Sequence, residues 1–197
     1  MLAVGSNQSP LQLARKFRGA DWGEIPTARV HLQDFDTVYS AHVTGYGSIA
    51  ATLHASPGTC VALYVNWMTS DQLAAMHQTE LTSENYEFGW LEKVNLRAEA
   101  GPSLTSVCIY MGRRGAYAPE GDIIPLSEVP AVGRQYEAKS QSEILSHVSQ
   151  QLTGSRVLEV FVTEATKSAD TRQSYNSALA RTSQAFSSPH FVRTRPD

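Results

Sequence analysis

The chain opens on an apolar run, Met1-Leu2-Ala3-Val4, and turns polar at Gly5-Ser6-Asn7. Residues 2–4 therefore read as a short strand that ends in a turn. Ser9-Pro10 then reads as a helix start. A serine at the N-cap accepts from an otherwise unpaired N–H, and proline's fixed φ suits the first helical position. Leu11, Leu13 and Phe17 continue that helix. The middle of the chain reads as β. Val38, Tyr39 and Val43 favour a strand over residues 36–43, because branched and aromatic side chains pack well on a pleated surface. Residues 49–54 form a second candidate. Residues 60–68 form a third, apolar almost throughout, as a strand covered on both faces is. Ser56-Pro57-Gly58 between the last two is a turn signal, so they are expected to form a hairpin.

Thr69 and Gln72 have capping-box spacing, with Asp71 in the first turn where the helix dipole favours a negative charge. A helix follows, and residues 83–85 break it. Residues 86–96 and 105–111 read as strands separated by Ala100-Gly101-Pro102. A loop rich in Gly, Arg and Pro fills 112–130, with a short strand expected at 122–126. Ser140 and Glu143 form a second capping box, opening a helix that reaches Leu152 and stops at Gly154. From Ser155 the composition shifts: residues 157–162 are apolar, and 166–188 are rich in Ser, Thr, Ala and Gln with a weak helical pattern. This divides the chain into a domain over 1–154 and a C-terminal helical extension over 155–197. Its last residues, from 187, are expected to be flexible.

Composition narrows the class. The chain has 197 residues and a formal net charge of −3, from 16 Lys and Arg against 19 Asp and Glu. That balance argues against a nucleic-acid or membrane-surface protein, which would need a basic face. With 42% apolar and 18% charged residues the chain can bury a core. Two cysteines, Cys60 and Cys108, exclude a disulfide-dense scaffold and a four-cysteine zinc site. Both lie in apolar runs and read as buried free thiols of a reducing compartment. The N-terminus lacks the charged and apolar regions of a signal peptide, and the longest strongly apolar stretch, 60–65, is too short to span a bilayer. A soluble, cytoplasmic protein is expected, with neither a nucleic-acid nor a membrane partner; oligomeric state is not readable.

Three features carry candidate chemistry. Leu73, Met76 and Glu80 are spaced i, i+3, i+7 and share one helix face. If Leu73 and Met76 point inward, Glu80 lies at the rim of a cavity, where burial suits a carboxyl group to general acid–base work; the plain alternative is an exposed last turn. Successive backbone N–H groups of Gly5, Ser6 and Asn7, between a strand and a helix, can form a small anion-binding concavity; the alternative is an ordinary turn. Tyr110 sits in an apolar strand, where its hydroxyl needs a partner; the alternative is a core tyrosine. Arg113-Arg114 reads as a solvated ridge or as a contact for an acidic substrate.

Taken in order, these pieces resemble the γ-glutamylcyclotransferases. Gly5-Ser6-Asn7 is similar to the family's Y-G-S-N loop, with Val4 in place of the tyrosine. Residues 28–35 resemble the segment after the family's first helix. Gly47-Ser48-Ile49-Ala50-Ala51-Thr52-Leu53, followed by Ser56-Pro57-Gly58, resembles its G-x-A-T…G run. Residues 61–68, then Leu73 to Glu80 and Tyr86, resemble the block that carries the family's catalytic glutamate. His77 takes the place of a common aspartate there, and Leu81 that of the glycine after the glutamate. The likeness runs from Leu2 to Tyr110. It implies an α+β fold, a small mixed β-barrel or strongly curved sheet with helices packed outside. It also implies a pocket between residues 5–7 and the end of the helix carrying Glu80. The implied reaction is attack of a γ-glutamyl α-amine on its own γ-carbonyl, releasing 5-oxoproline and an amine or amino acid. Glu80 would act as acid and base, Gly5, Ser6, Asn7 and Tyr110 would bind substrate, and no metal or cofactor would be needed.

Other classes find less support. There is no H-E-x-x-H for a metal hydrolase, although His77 and Glu80 are i, i+3 and His31, His42 and His54 lie nearby in sequence. Gly45-Tyr46-Gly47 has no phosphate-loop lysine, and G-x-S-x-G is absent. An amidohydrolase of a related small amide and a non-catalytic binding or assembly protein on the same fold both stay open.

Overall fold

Two long strands, β2 (Thr27–Val43) and β3 (Ile49–Asn66), pair antiparallel from Thr27↔Asn66 to Val43↔Ile49. This is seen in a computed structural model that describes residues 1–19, 21–82, 85–155 and 157–195. The hairpin expected between 49–54 and 60–68 does not form, because both segments belong to β3 and both lie on β2. Ser56-Pro57-Gly58 keeps a local deviation but not a reversal. It lies in a register shift, with Cys60 opposite Gln33 and Ala55 opposite Phe35. Asp34 takes up that shift with a positive φ of 66°, and its carboxylate accepts from the Gly58 N–H at 2.8 Å. The pairing with β2 prevails because both halves of β3 carry inward apolar residues, Leu53 as well as Val61 and Leu63, that need the same core.

The remaining strands close this ribbon. They are β1 (Leu2–Ala3), β4 (Tyr86–Ala98) and β5 (Leu104–Gly112). Around the sheet the order is β3-β1-β5-β4-β2, and β2 returns to β3, so five strands form a closed barrel. Only β1–β5 among these pairs is parallel, which makes the barrel mixed. Val30, Leu32, Leu63, Leu96 and Ile109 fill it and have no exposed surface. Shorter strands extend the edges: β6 (Ala116–Tyr117) on β2, β7 (Ala131–Val132) on β3, β8 (Ser183–Gln184) on β6 and β9 (Phe191–Arg193) on β4. The tail expected to be flexible from 187 thus carries an edge strand. The strand expected at 122–126 reduces to single bridges, Pro125 to Val38 and Leu126 to Lys139. Of the expected break at 83–85, residues 83 and 84 lie outside the described residues.

Helices pack outside the barrel, so the fold is α+β. After a 3₁₀ turn at Ser6–Gln8, helix α1 (Pro10–Lys16) starts at Ser9, although the Ser9 side chain makes no capping bond. Helix α2 (Ser70–Glu80) and helix α3 (Gln141–Thr153) each begin with the expected reciprocal capping box, and Gly154 ends α3 in the left-handed region. Leu13 of α1 and Met76 of α2 pack on Phe88, Cys108 and Tyr110 at the outer face of the sheet. Helices α4 (Leu158–Lys167) and α5 (Ala169–Ala180) follow. With α3 they bury Ile144, Phe161 and Leu179 against Tyr39 and Val43 of β2 and Tyr117 of β6. The β2–β3 turn sets how close α4 can come. Gly47 has φ +83°, and a Cβ there would lie 2.8 Å from Val162 Cγ1. Asn176 of α5 accepts from the Val43 N–H at 2.7 Å. Among the described residues no helix is long and apolar enough to cross a membrane.

Phe161 has no exposed surface and stacks on Tyr175 with ring centroids 5.0 Å apart. Phe161→Ala is expected to lower the unfolding free energy by about 3–5 kcal/mol, read by urea denaturation with circular dichroism. A loss under about 1 kcal/mol would mean that α4 does not share the barrel's cooperative core.

Candidate functional site

Asn66 at the end of β3 organises the loop that follows β1. It is fully buried; its backbone N–H donates to Met1 O at 2.9 Å and its Nδ2 to Asn7 O at 3.1 Å. Its Oδ1 accepts from Thr27 Oγ1 at 3.0 Å. The loop turns on Gln8 N–H to Gly5 O at 3.1 Å and Ser9 N–H to Ser6 O at 2.9 Å. Among the described residues, nothing accepts the backbone N–H groups of Gly5, Ser6 and Asn7, the usual state of the first residues of a helical turn.

Glu80 meets this loop from the last turn of α2. Its Oε1 accepts from Asn7 Nδ2 at 2.9 Å and is ion-paired with Lys16 Nζ. The Glu80 and Lys16 side chains are only 11% and 13% exposed, so the pair is screened from bulk solvent. The same ammonium touches Met76 Sδ at 3.6 Å. On the expected face of α2, Met76 is buried and Leu73 half-buried, and Glu80 sits where the face runs off the core.

Tyr110 of β5 approaches from the next strand. Its Oη lies 2.8 Å from His77 Nδ1, one turn before Glu80 on α2. His77 packs edge-on against Phe88, with centroids 4.6 Å apart. Burial pushes the His77 pKa down, and it pushes the Tyr110 phenol up, aided by the Glu80 charge. Both are neutral near pH 7. With the imidazole proton on Nε2, Nδ1 accepts from the phenol, and the phenol oxygen remains an acceptor. Tyr86 is pushed up to about 12 by burial, then by Glu80 and Tyr46. It therefore stays a neutral hydroxyl donor beside the carboxylate.

Gly5, Ser6, Asn7, Glu80, Tyr86 and Tyr110 line one cavity of about 290 Å³. Thr44, Tyr46 and Ser48 of the β2–β3 turn complete its rim, and Ala50, Ala51 and Val129 give it an apolar wall. All five residues singled out from the sequence thus border the same space. Two details differ from the expectation. Asn7 reaches Glu80 with its side chain as well as offering its backbone, and Tyr110 is already bonded to His77. Sequence reasoning did not find Lys16, Asn66 or the His77–Tyr110 bond. Lys16 had one local signal: it lies i+3 from Leu13, the buried residue of α1.

The other histidines are spread out. His31 bonds Glu99 at 3.0 Å at the protein surface, and among the described residues no three His, Cys, Asp or Glu side chains gather as a metal site. Cys60 is half-buried and Cys108 buried, and both are unpaired thiols.

No protein-family model matches the chain, and no curated protein matches it. Solved structures similar to it include a γ-glutamyl cyclotransferase, at 14% identity and a TM-score of 0.45, over 95% of this chain and 89% of that one. The solution structure of At5g39720.1 from Arabidopsis thaliana is similar over 56% of this chain, at 19% identity and a TM-score of 0.42. The chain spans 66% of that protein's length, just under two thirds.

The His77 shift has a stability consequence. Its pKa is lowered from 6.5 on folding, so the unfolded chain holds the proton more tightly. The neutral ring's contribution is complete above that value and is lost as pH falls towards the folded value. Wild type is expected to lose more of its Tm than His77→Gln between pH 7.5 and pH 5 (about 2.5 units spanning the ordinary histidine value). Parallel melting curves for the two proteins would show that His77 does not carry this linkage.

Proposed function

We propose that this chain is a γ-glutamylcyclotransferase-like enzyme with Glu80 as its general acid and base. One observation carries the reading. Side chains and backbone from three separate parts of the sequence, 5–7, 80 and 110, face one another across a single small cavity. The resemblance of those segments to the family's motifs gives that cavity its chemistry.

In the proposed reaction the γ-glutamyl group folds on itself in the cavity. The α-nitrogen bonds to the γ-carbonyl carbon, and the bond from that carbon to the leaving nitrogen breaks. Glu80 takes a proton from the α-ammonium and passes it to the leaving nitrogen; the second N–H proton that the α-nitrogen loses as it becomes the lactam N–H also ends on the leaving nitrogen, which departs as an ammonium, so no proton is gained or lost overall. The nucleophile is tethered, so holding it in place supplies much of the rate, and no metal, cofactor or covalent intermediate is needed. The unpaired N–H groups of Gly5, Ser6 and Asn7 hold the substrate's α-carboxylate or the developing oxyanion. The Tyr110 oxygen, oriented by His77, accepts from the α-ammonium. Lys16 already sits on Glu80 with the charge that the substrate ammonium brings, so substrate must displace it or share the carboxylate with it.

That same pairing is what favours the second reading, a binding or assembly protein in which Glu80 is structural. Glu80→Gln separates the two. As a base, Glu80 is expected to contribute about 10²–10⁴-fold, so the variant should fold normally and lose 5-oxoproline release from γ-glutamyl amines and dipeptides by that factor. A variant that melts well below wild type, together with a wild type that releases no 5-oxoproline from any substrate tried, would establish the structural role instead.

A further inference from the structure

Glu80 is also a wall of a second, larger cavity of about 530 Å³, which shares Ser6, Thr44, Tyr46 and Tyr86 with the first. Its charge is one-sided. Lys16, Arg114 and Arg172 line it, and among its described lining residues Glu80 is the one carboxylate. Lys16 is committed to that carboxylate. The two guanidiniums are not. Arg114, between β5 and β6, donates from Nε to Asn85 Oδ1 at 2.8 Å. Arg172, in the first turn of α5, donates from Nη1 to Ala165 O at 2.7 Å. Among the described residues neither has an acidic partner. Each guanidinium has five N–H donors, and among the described residues one of each is used. Neither side chain is fully exposed. His42, in the same lining, registers the positive field: its pKa is lowered to about 4 by burial, then by Arg114 and Arg172.

We propose that this second cavity is a subsite for the part of the substrate beyond the scissile amide, and that Arg114 and Arg172 select a carboxylate or phosphate group there. The proposal rests on the cyclotransferase reading, because it uses Glu80 to place the scissile bond. A group that passes a proton to the leaving nitrogen must stand between the acyl part and the departing part, and Glu80 is the acidic residue common to both cavities. The smaller one is lined by unpaired N–H groups and tyrosines. The larger one is lined by two forks whose geometry matches a carboxylate or a phosphate. Because Arg172 belongs to the segment after 155, the C-terminal helices would supply part of the specificity as well as part of the core.

The test compares three substrates: γ-glutamyl-alanine, its C-terminal carboxamide, and γ-glutamyl-phosphoethanolamine. In wild type the anionic substrates should exceed the carboxamide in kcat/KM, and the better of the two identifies the group recognised. In Arg114→Gln or Arg172→Gln the anion-to-carboxamide ratio should fall about ten- to hundred-fold, as expected for loss of a charge-assisted bond. The Arg→Lys variants keep the charge but not the fork and should lie between. An unchanged ratio in folded variants would overturn the subsite. A second readout does not depend on turnover: inorganic phosphate and acetate should raise the Tm of wild type more than that of the double Arg→Gln variant. If no substrate is turned over but this difference is present, the cyclotransferase reading fails and the anion site stands. If the difference is absent as well, both fail.

Discussion

The pairing of β2 with β3 is the constraint on which the molecule depends. Strands of 17 and 18 residues are about three times the usual length, and a twisted ribbon of that length cannot lie flat. It bends where Asp34 and residues 56–59 break the register. On one side of the bend, Val30 and Leu32 of β2 also meet β4, which closes the barrel. On the other side Phe35 and Leu53 still enter the barrel core, and further along the ribbon carries Tyr39, Val43 and Ile49 into a second core beneath α3, α4 and α5. The turn joining the two strands, residues 44–48, then projects over the mouth of the first cavity and borders the second. One long antiparallel pair thus sets the barrel, the seat of the C-terminal helices and the rim of the site.

Within the site the governing interaction is electrostatic. Glu80, Lys16 and Asn7 come from α2, α1 and the β1–α1 loop, and each is largely removed from water. Bringing a carboxylate and an ammonium into such a place costs desolvation that their attraction only partly recovers, so the pair contributes little net stability. Removing one partner, in contrast, strands the other charge. In the proposed function, a substrate ammonium entering the cavity keeps Glu80 compensated by offering it an equivalent partner. In the proposed reaction this makes Lys16 a stand-in that keeps the carboxylate compensated while the site is empty. The tyrosines make a complementary contribution. Tyr86 and Tyr110 hold their protons because both are buried beside a negative charge, so they add hydrogen-bonding groups without adding charge.

What could be read from the sequence was what is decided locally. The capping boxes at Thr69/Gln72 and Ser140/Glu143 and the left-handed stop at Gly154 depend on residues within one turn of each other, and they form as expected. Glu80 could be placed on an inward face because Leu73 and Met76 share it. Ser56-Pro57-Gly58 misled for the complementary reason. Its turn propensity is real, but pairing along all of β2 buries more apolar surface than a local hairpin would, and the signal survives as a bulge. The partners of the site residues are long-range. Lys16 reaches Glu80 across 64 positions and Tyr110 reaches His77 across 33, and no periodicity encodes either contact. The helices after 155 were only weakly legible because their buried residues are few: Phe161 and Ala165 in α4, Asn176 and Leu179 in α5.

Two contacts tie the C-terminal helices to the walls of the cavities. Val162 packs on Gly47 so closely that a side chain there would displace it, which fixes the turn bearing Tyr46 against α4. Asn176 holds the Val43 backbone, which fixes the end of β2 against α5. The second contact lines the larger cavity, one helical turn from Arg172, and the first adjoins Tyr46, which borders both cavities. A shift of α5 would therefore move a guanidinium and the cavity mouth together. On this geometry part of what binds the segment after 155 to β2 and its turn also shapes the larger cavity beside Glu80.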